Sequence, residues 1–286
     1  MKEIVVLSGK GGTGKTSIVG AFAYLAKSKV MVDCDVDAAD LYLLLQPEHG
    51  EEHEFWSGQT AVIDGAKCTH CGLCEQLCRF DAIHDLVVDD ASCEGCGFCA
   101  NVCPAEAITM KENLAGHWFI SKTKYGTLVH ARLGIAQENS GKLVAMVRQQ
   151  AKKIAEESGI ELIISDGPPG IGCPVISSLS GTDLALLVTE PTLSGQHDLE
   201  RVIGVCRHFT VPALVCINKF DINDANTRKI EAYCRNQGID IASKIPYDSK
   251  VTEAMIHGKT VMEYNPNGAA QHIEKLWNII IDRLGG

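Results

Sequence analysis

The sequence predicts an α/β fold, a mostly parallel, doubly wound sheet with helices on both faces, into which a small α+β domain is inserted. Three observations support this prediction. Apolar runs of strand length alternate with helical patterns along most of the chain. A glycine-rich loop joins the first apolar run to the first helical pattern. Eight of the 13 cysteines fall between residues 68 and 103, where the alternation stops.

The glycine-rich loop, residues 8–17, reads Ser-Gly-Lys-Gly-Gly-Thr-Gly-Lys-Thr-Ser and fits the phosphate-binding pattern G-x-x-x-x-G-K-[ST]. An apolar run at residues 4–7 precedes it and a helical pattern at residues 15–27 follows it. Backbone amides and the helix N-terminus attract phosphate, Lys15 adds a positive charge, and Thr16 is a ligand for Mg²⁺. A glycine-rich turn without a ligand is the alternative. The predicted nucleotide-binding residues of this loop are Gly9, Lys10, Gly11, Gly12, Thr13, Gly14, Lys15, Thr16 and Ser17.

Lys10 directly follows the first glycine, and with it the loop resembles the deviant Walker A loop of the MinD/ParA/ArsA/nitrogenase iron protein class of P-loop ATPases. The resemblance implies that Lys10 reaches across a nucleotide-sandwich dimer to the partner's phosphates and assists catalysis there, with Lys15 acting in its own chain. We therefore expect an ATP-dependent homodimer. A lysine that only faces solvent is the alternative.

A strand-like run at residues 30–32 ends in Asp33-Cys34-Asp35. In the resembled class, aspartates at this place belong to switch I. Asp33 would bind the Mg²⁺ shell through water, and Asp35 would orient or deprotonate the attacking water. Either Asp37 or Asp40 is expected to cap a short helix at residues 41–45.

A second strand-like run, residues 161–166, also ends in an acid and has the form of a Walker B strand. Asp166 is expected to complete the Mg²⁺ shell. The following turn ends at Gly170, and by the resemblance this switch II turn senses the γ-phosphate through a backbone amide. Cys173 is interpreted as a buried structural thiol, with a ligand of a bridging cluster as the alternative.

The base-binding residues are predicted from two turns. The segment Asn218-Lys219-Phe220-Asp221 matches the guanine-reading N-K-x-D pattern, but the deviant loop belongs to an ATPase class in which an asparagine here contacts adenine. We therefore predict that Asn218 and Pro246 contact adenine, with GTP as the alternative.

The cysteine-dense segment contains two runs of the form C-x2-C-x2-C-x3-C, the pattern of bacterial ferredoxins. Three thiolates of each run bind one [4Fe-4S] cluster, and the fourth binds the other cluster. A zinc site fits poorly because it needs a longer central spacer. The segments at residues 81–83 and 106–108 repeat the same pattern. The predicted ligands are Cys68, Cys71, Cys74 and Cys103 for cluster 1, and Cys78, Cys93, Cys96 and Cys99 for cluster 2.

The predicted domains are a discontinuous P-loop ATPase domain, residues 1–57 and 110–286, and an inserted 2[4Fe-4S] ferredoxin domain, residues 58–109. The ATPase part is expected to continue with short strands at 118–120 and 127–131 and a helix at 143–157. Strands at 184–188, 213–217 and 239–245 alternate with helices at 195–209 and 223–236, and the last helix is at 269–284.

Charge and composition argue against nucleic acid and membranes as partners. The net charge is −10, and residues 64–108 carry eight acids against two bases, so nucleic acid is not expected as a partner. The polar face of the last helix is charge-balanced, which disfavours membrane association. With no signal peptide and no apolar run of spanning length, a cytoplasmic protein is expected, in which clustered cysteines bind metal.

Together these motifs resemble MinD/Mrp-like P-loop ATPases that carry an inserted ferredoxin domain. The resemblance implies ATP, Mg²⁺ and two [4Fe-4S] clusters as cofactors. The favoured hypothesis is an ATPase whose homodimer couples nucleotide state to electron transfer to a redox or metallocluster-assembly partner. An iron–sulfur cluster carrier or scaffold is the alternative, and a positioning ATPase of the MinD/ParA type is less favoured.

Overall fold

The computed structural model describes residues 1–48, 50–134 and 140–285. The chain divides into two compact units. The first unit comprises Met1–Glu52, Trp118–Ala131 and Gly141–Gly286. The second, called the cysteine unit here, comprises His53–His117 and Arg132–Ser140. All eight clustered cysteines belong to the cysteine unit, which begins before and ends after the predicted insertion at residues 58–109.

The strands alternate with helices in the first unit, as the βα pattern predicts. The strands of the described residues are β1 (Lys2–Ser8), β2 (Val30–Asp33), β3 (Glu51–Ile63), β4 (Ile83–His84), β5 (Val87–Val88), β6 (Ile108–Thr123), β7 (Gly126–Leu133), β8 (Leu162–Pro169), β9 (Leu184–Thr189), β10 (Ala213–Asn218) and β11 (Asp240–Ile245).

Nine strands form one sheet, in the order β11-β10-β9-β1-β8-β2-β7-β6-β3. From β11 to β7 every neighbouring pair is parallel. The sheet is therefore mostly parallel, and β1 lies between β8 and β9 at its centre. Because parallel strands end at the same edge, the loops after β1, β2 and β8 come together there.

The helices of the described residues are α1 (Lys15–Leu25), α2 (Leu41–Leu45), α3 (Leu73–Leu77), α4 (Phe98–Val102), α5 (Ser140–Ser158), α6 (Cys173–Leu179), α7 (Leu193–His208), α8 (Asp224–Asn236), α9 (Ser249–Ile256), α10 (Val261–Tyr264) and α11 (Ala269–Leu284). Of these, α3 and α4 belong to the cysteine unit, and helices of the first unit cover both faces of the sheet. Within the described ranges, no helix is both long enough and apolar enough to cross a bilayer.

Two apolar clusters stabilise the first unit. One packs α1, α2, α10 and α11 against the sheet, and in it the rings of Phe22 and Trp277 lie 5.0 Å apart. The other contains buried side chains of α6, α7 and α8, including Leu179 and Ile230. The last helix has the predicted bounds and buries Ile273, Leu276, Trp277 and Ile280, as expected of a helix that docks onto the core.

The cysteine unit is built as an internal repeat of 25 residues. Helix α3 begins after Gly72 at φ 73°, and α4 begins after Gly97 at φ 72°. The amide of Asp64 donates to the carbonyl of Ala107, and that of Asp89 donates to the carbonyl of Ala82, at 2.7 and 2.8 Å. Residues 64 and 89, and 82 and 107, are equivalent by the repeat. The two halves therefore exchange matching hydrogen bonds, as a pseudo-twofold arrangement requires.

Two expectations about secondary structure are wrong: the extent of the strands between α2 and α5, and the side-chain cap of α2. No strand was predicted at β3, and β6 and β7 extend well beyond the predicted short strands. These strands escaped prediction because β3 alternates exposed and buried residues without an apolar run. Asp40 stands at the N-cap of α2, yet its side chain makes no capping hydrogen bond there. Asp33 Oδ2 instead accepts the amide of Leu41 at 3.2 Å.

Candidate functional site

Two buried aspartates lie side by side at the carboxyl edge of the sheet. Asp33 ends β2, Asp166 lies on β8, and the parallel register pairs the two residues directly. Both side chains are fully buried. The amine of Lys15, at the start of α1, lies 2.5 Å from Asp166 Oδ1. The structure thus brings the predicted lysine and both predicted magnesium residues together.

Electrostatics at this edge favour a cation. Burial, and next the Asp166 carboxylate, raise the pKa of Asp33 well above its usual range. Burial also raises the pKa of Asp35 to about 6, against the opposing charge of Lys15. Burial alone would lower the pKa of Lys15, but Asp166 outweighs it, so the net shift is upward. The neighbouring carboxylates of Asp33 and Asp166, with the Thr16 hydroxyl, are the groups that could hold a divalent cation such as Mg²⁺.

A cavity of about 560 Å³ lies over these groups. Its volume is in the range of small-molecule sites. The Thr13 hydroxyl is buried and has no hydrogen-bond partner among the described residues, so it is available to a ligand. The cavity is lined by predicted residues of the loop, Gly11, Gly12, Thr13, Gly14, Lys15, Thr16 and Ser17, and by Asp35, Asn218 and Pro246.

Asn218 braces the phosphate loop. Its Nδ2 donates to the carbonyl of Thr13 at 2.8 Å, and its Oδ1 accepts the amide of Lys219 at 3.0 Å. The amine of Lys219 donates to the carbonyl of Gly12 at 3.2 Å. Gly14 has φ 88°, and a Cβ at this position would collide with the Asn218 amide. Asn218 lines the cavity as predicted, but both ends of its amide are engaged by the protein, which sequence reasoning did not foresee.

Lys10 is held within its own chain. Its amine lies 2.7 Å from Glu190 Oε1 and donates to Thr192 Oγ1 and Ser194 Oγ at 3.2 and 3.0 Å. Glu190 also pairs with Lys219, at 3.2 Å. Although burial opposes the shift, the hydrogen bonds from the two lysines hold the pKa of Glu190 below its usual value. Glu190 was missed because nothing in the sequence links it to residue 10.

The turn after Asp166 is fastened to the start of the phosphate loop. The amide of Gly170 donates to the carbonyl of Ser8 at 2.9 Å, and Gly170 has φ 92°. Gly170 belongs to the turn that the resemblance assigns to γ-phosphate sensing through a backbone amide. Gly9 packs so closely on Asp198 of α7 that a Cβ would overlap its backbone. Cys173 is exposed, so its interpretation as a buried thiol is wrong.

The base-binding turns also lie at this cavity. Tyr247 lines it next to Pro246, and the Tyr247 amide donates to Asp221 Oδ1 at 2.7 Å. Met255 lines it as well, and the hydroxyl of Ser17 lies 3.1 Å from its sulfur. Met255 was not predicted, since a lone methionine on a short helix carries no sequence pattern.

The cysteine unit contains two cavities, each lined by one predicted set of four cysteines. The first cysteine cavity has a volume of about 20 Å³, and the second has a volume of about 410 Å³. In each cavity the fourth thiol comes from the opposite half of the repeat, as the ferredoxin pattern requires. The first is lined by Cys68, Cys71, Cys74 and Cys103, and the second by Cys78, Cys93, Cys96 and Cys99 together with Cys74 of the first set.

Backbone amides donate to the fourth sulfur of each set in the same way. The amide of Ala82 lies 3.4 Å from Cys78 Sγ, and that of Ala107 lies 3.3 Å from Cys103 Sγ. Such bonds are typical around iron-bound thiolates. Across the described ranges, no group of three or more His, Cys, Asp or Glu side chains converges as ligands of a single metal ion do. A [4Fe-4S] cluster requires four thiolates, each on a different iron, and the residues of each cavity include such a set of four thiols.

Residues 4–261 match the family described as the CobQ/CobB/MinD/ParA nucleotide binding domain. The chain belongs to this family. It has the α/β P-loop fold of the family, with a mostly parallel sheet. The MinD/ParA ATPases of this family bind and hydrolyse ATP, and they commonly dimerise when ATP binds.

Three known proteins illustrate what this MinD/ParA family member is similar to. An uncharacterized protein of Methanocaldococcus jannaschii is 32% identical over 278 residues, 96% of this chain and 95% of that protein. An iron-sulfur cluster carrier protein of Pyrococcus horikoshii is 24% identical over 159 residues, 50% of this chain and 53% of that protein. The septum site-determining protein MinD of Pyrococcus horikoshii, solved with Mg-ADP, superposes with a TM-score of 0.62 at 21% identity, covering 100% of this chain and 97% of that chain. At this identity the likeness shows the fold alone.

Proposed function

We propose that this protein is an ATPase that couples the nucleotide state of a homodimer to electron transfer through two [4Fe-4S] clusters. The observation that carries the proposal is the pair of four-cysteine cavities in a unit whose chain lies between Asp33 and Asp166 in sequence. Because both aspartates belong to the nucleotide site, a change of nucleotide acts on the chain that first enters the cysteine unit after Asp33 and last leaves it before Asp166. The inserted ferredoxin domain at residues 58–109 is part of this proposal.

Hydrolysis follows from the charges at the carboxyl edge of the sheet. Mg²⁺ bound near Thr16, Asp33 and Asp166 would neutralise phosphate charge. When the nucleotide binds, Lys15 leaves Asp166 and contacts the phosphates instead. Asp35, with its pKa of about 6, is ionised at neutral pH and accepts a hydrogen bond or a proton from the attacking water. Lys10 leaves Glu190 and contacts the nucleotide of the partner protomer.

Exposed apolar side chains support a homodimer that closes over this edge. Leu193 is 72% exposed, Tyr247 58% and Ile256 77%. All three follow the carboxyl ends of β9 or β11, on the side of the nucleotide cavity. A second copy of the chain would bury them, and Lys10 lies on the same side.

The cluster ligands are the eight cysteines, in the two sets that line the two cavities. The clusters supply one-electron chemistry when bound. The amides of Ala82 and Ala107 orient the fourth sulfur of each set. We infer that the acceptor is a redox or metallocluster-assembly protein, since ATP hydrolysis serves to commit an electron to a partner.

The proposal is tested with anaerobically purified protein. Iron and sulfide analysis should give about eight irons per chain, since each cubane holds four. The potentials and electron paramagnetic resonance spectra are then compared with Mg-ADP and with Mg-ATP, in wild type and in Lys15→Ala. A change with Mg-ATP that the variant lacks supports coupling. If the protein holds about eight irons and its potentials and spectra are the same with Mg-ADP and Mg-ATP, the proposed coupling is contradicted.

A cluster carrier is the second candidate, favoured by the similarity of half the chain to an iron-sulfur cluster carrier protein. In that role the clusters are cargo. Four thiolates per cavity oppose easy release, because all four must be exchanged. Incubation with an apo-ferredoxin separates the two functions: ATP-dependent transfer of iron identifies a carrier, and reduction of a holo-acceptor without loss of iron identifies an electron donor.

A further inference from the structure

The two cysteine cavities differ in volume and in several lining residues, although the repeat supplies both with cysteines at equivalent positions. We propose that the second cysteine cavity holds the cluster of higher reduction potential, so that the first electron taken up by the protein resides there. This inference rests on the proposed function, because it requires both clusters. It assigns Ala61, Arg79 and Glu94 as the residues that set the difference.

The repeat allows the two linings to be compared position by position, since equivalent residues lie 25 positions apart. Some equivalent positions carry the same residue in both halves. Gly72 and Ala107 line the first cavity, and their equivalents Gly97 and Ala82 line the second. The differing pairs, first cavity against second, are Leu86 and Ala61, Thr69 and Glu94, Pro104 and Arg79, and Leu73 and Phe98.

The exchange of Leu86 for Ala61 removes most of a side chain from the wall of the second cavity. The volumes differ in the same direction, about 20 Å³ against about 410 Å³, and by more than one leucine side chain occupies. A cubane of the same size has to occupy both, so the second cavity leaves more room for water beside it. A cluster with four thiolates is an anion that gains another negative charge on reduction. Water stabilises the more highly charged state, so the wetter site has the higher potential.

The exposure of neighbouring side chains agrees with this difference. Phe98 is 50% exposed and Leu77 is 41% exposed, and both line the second cavity. Their equivalents by the repeat, Leu73 and Val102, are only partly exposed. Solvent therefore approaches the second cavity along a surface that is more covered at the first.

Two charges line the second cavity, and none lines the first. The Arg79 guanidinium lies 5.2 Å from the centre of the Phe80 ring, which holds it at the wall. Arg79 favours the reduced state of a nearby cluster, and Glu94 disfavours it. Both side chains are exposed, so water and salt weaken both effects. The effects of Arg79 and Glu94 on the reduction potential have opposite signs and offset each other. The larger volume of the second cavity therefore decides that its cluster has the higher potential.

The test is an anaerobic titration with dithionite as the one-electron reductant, followed by electron paramagnetic resonance. Ala61→Leu and Arg79→Gln should each lower the higher midpoint and leave the lower one in place. Glu94→Gln should raise the higher midpoint. Leu86→Ala should raise the lower midpoint. We expect each change to alter the partition of the electron between the sites about tenfold, which is ~59 mV for a one-electron couple.

Lys67→Gln is the matched control for Arg79→Gln. Lys67 and Arg79 are the two basic residues between positions 64 and 108, so both variants change the charge equally. Lys67 is exposed and is not among the residues that line either cavity. Lys67 directly precedes Cys68 of the first set, so its replacement should act on the lower midpoint alone and leave the higher midpoint in place.

The outcomes distinguish this inference from the proposed function. Fewer than about eight irons, or a single reducible centre, would refute the proposed function itself. With both clusters present, the inference is overturned if Ala61→Leu and Arg79→Gln move the lower midpoint, or if Lys67→Gln matches Arg79→Gln. Opposite shifts from Arg79→Gln and Glu94→Gln in the higher midpoint alone would establish it.

Discussion

Replacing Asp35 with asparagine is expected to stabilise the nucleotide-free protein and at the same time to stop hydrolysis. Burial raises the pKa of Asp35 from 3.8 to about 6, with Lys15 opposing the shift and Asp166 adding to it. The native protein therefore binds this proton more tightly than the unfolded chain does. The unfolding free energy falls as the pH rises from about 4 to about 6, and the penalty is fully present above that range.

The magnitude follows from the size of the shift. About two pKa units at about 1.36 kcal/mol per unit correspond to ~3 kcal/mol. Asp35 is partly exposed, and solvent screening reduces the expected gain from Asp35→Asn to ~1–2 kcal/mol at about pH 7.5. The gain should shrink at about pH 5.5, where the carboxyl is more often protonated. Loss of the general base should lower kcat by roughly 10²–10⁴.

Urea unfolding in the presence of a chelator measures the stability difference. Trp277 is a suitable fluorescence probe, because it packs on Phe22 in the core of the first unit. Asp37→Asn is the matched control, since Asp37 lines the same cavity but is exposed. The reasoning is refuted if Asp35→Asn leaves the urea midpoint unchanged or lowers it, or if Asp37→Asn produces an equal gain.

Three further predictions concern the charged and cysteine sites. Lys15→Ala leaves Asp33 and Asp166 buried without their cation, so urea unfolding should show a loss of ~3–5 kcal/mol that added Mg²⁺ partly restores. A variant as stable as wild type without Mg²⁺ would contradict this. Lys10→Ala should keep nucleotide binding, measured by calorimetry, but lose dimerisation with ATP in sedimentation velocity; an unchanged dimer would refute the role in trans. Cys96→Ala should reduce iron from about eight to about four per chain, while loss of all iron would mean that the two sites assemble together.

Much of the nucleotide site could be predicted because its chemistry lies in one contiguous segment. The loop glycines, Lys15 and Thr16 are adjacent in sequence, and their pattern is specific for phosphate. The cysteine spacing likewise predicted the two sets that line the two cavities. The bounds of α2 and α11 were predicted from apolar periodicity alone, because their buried faces repeat at helical spacing.

The contacts that could not be predicted join distant residues. Lys10 meets Glu190, and Asn218 meets Thr13, across about two-thirds of the chain. The order of the sheet decides these meetings, since β9 lies next to β1, and β10 next to β9, only once the fold is formed. Strand β3 and most of β6 escaped prediction because they are only partly buried and carry no continuous apolar run.

The sequence by itself determined the phosphate loop, the α/β class and the chemical identity of the cysteine donors, because each is written in local spacing or periodicity. Only the tertiary structure decided how the predicted aspartates meet Lys15, that Glu190 holds Lys10, and that the two cysteine cavities differ in size. The register of β2 against β8 pairs Asp33 with Asp166, and Ala61 faces the second cavity where Leu86 faces the first. Such juxtapositions depend on how separate segments pack, and packing is a property of the folded chain rather than of any one stretch of it.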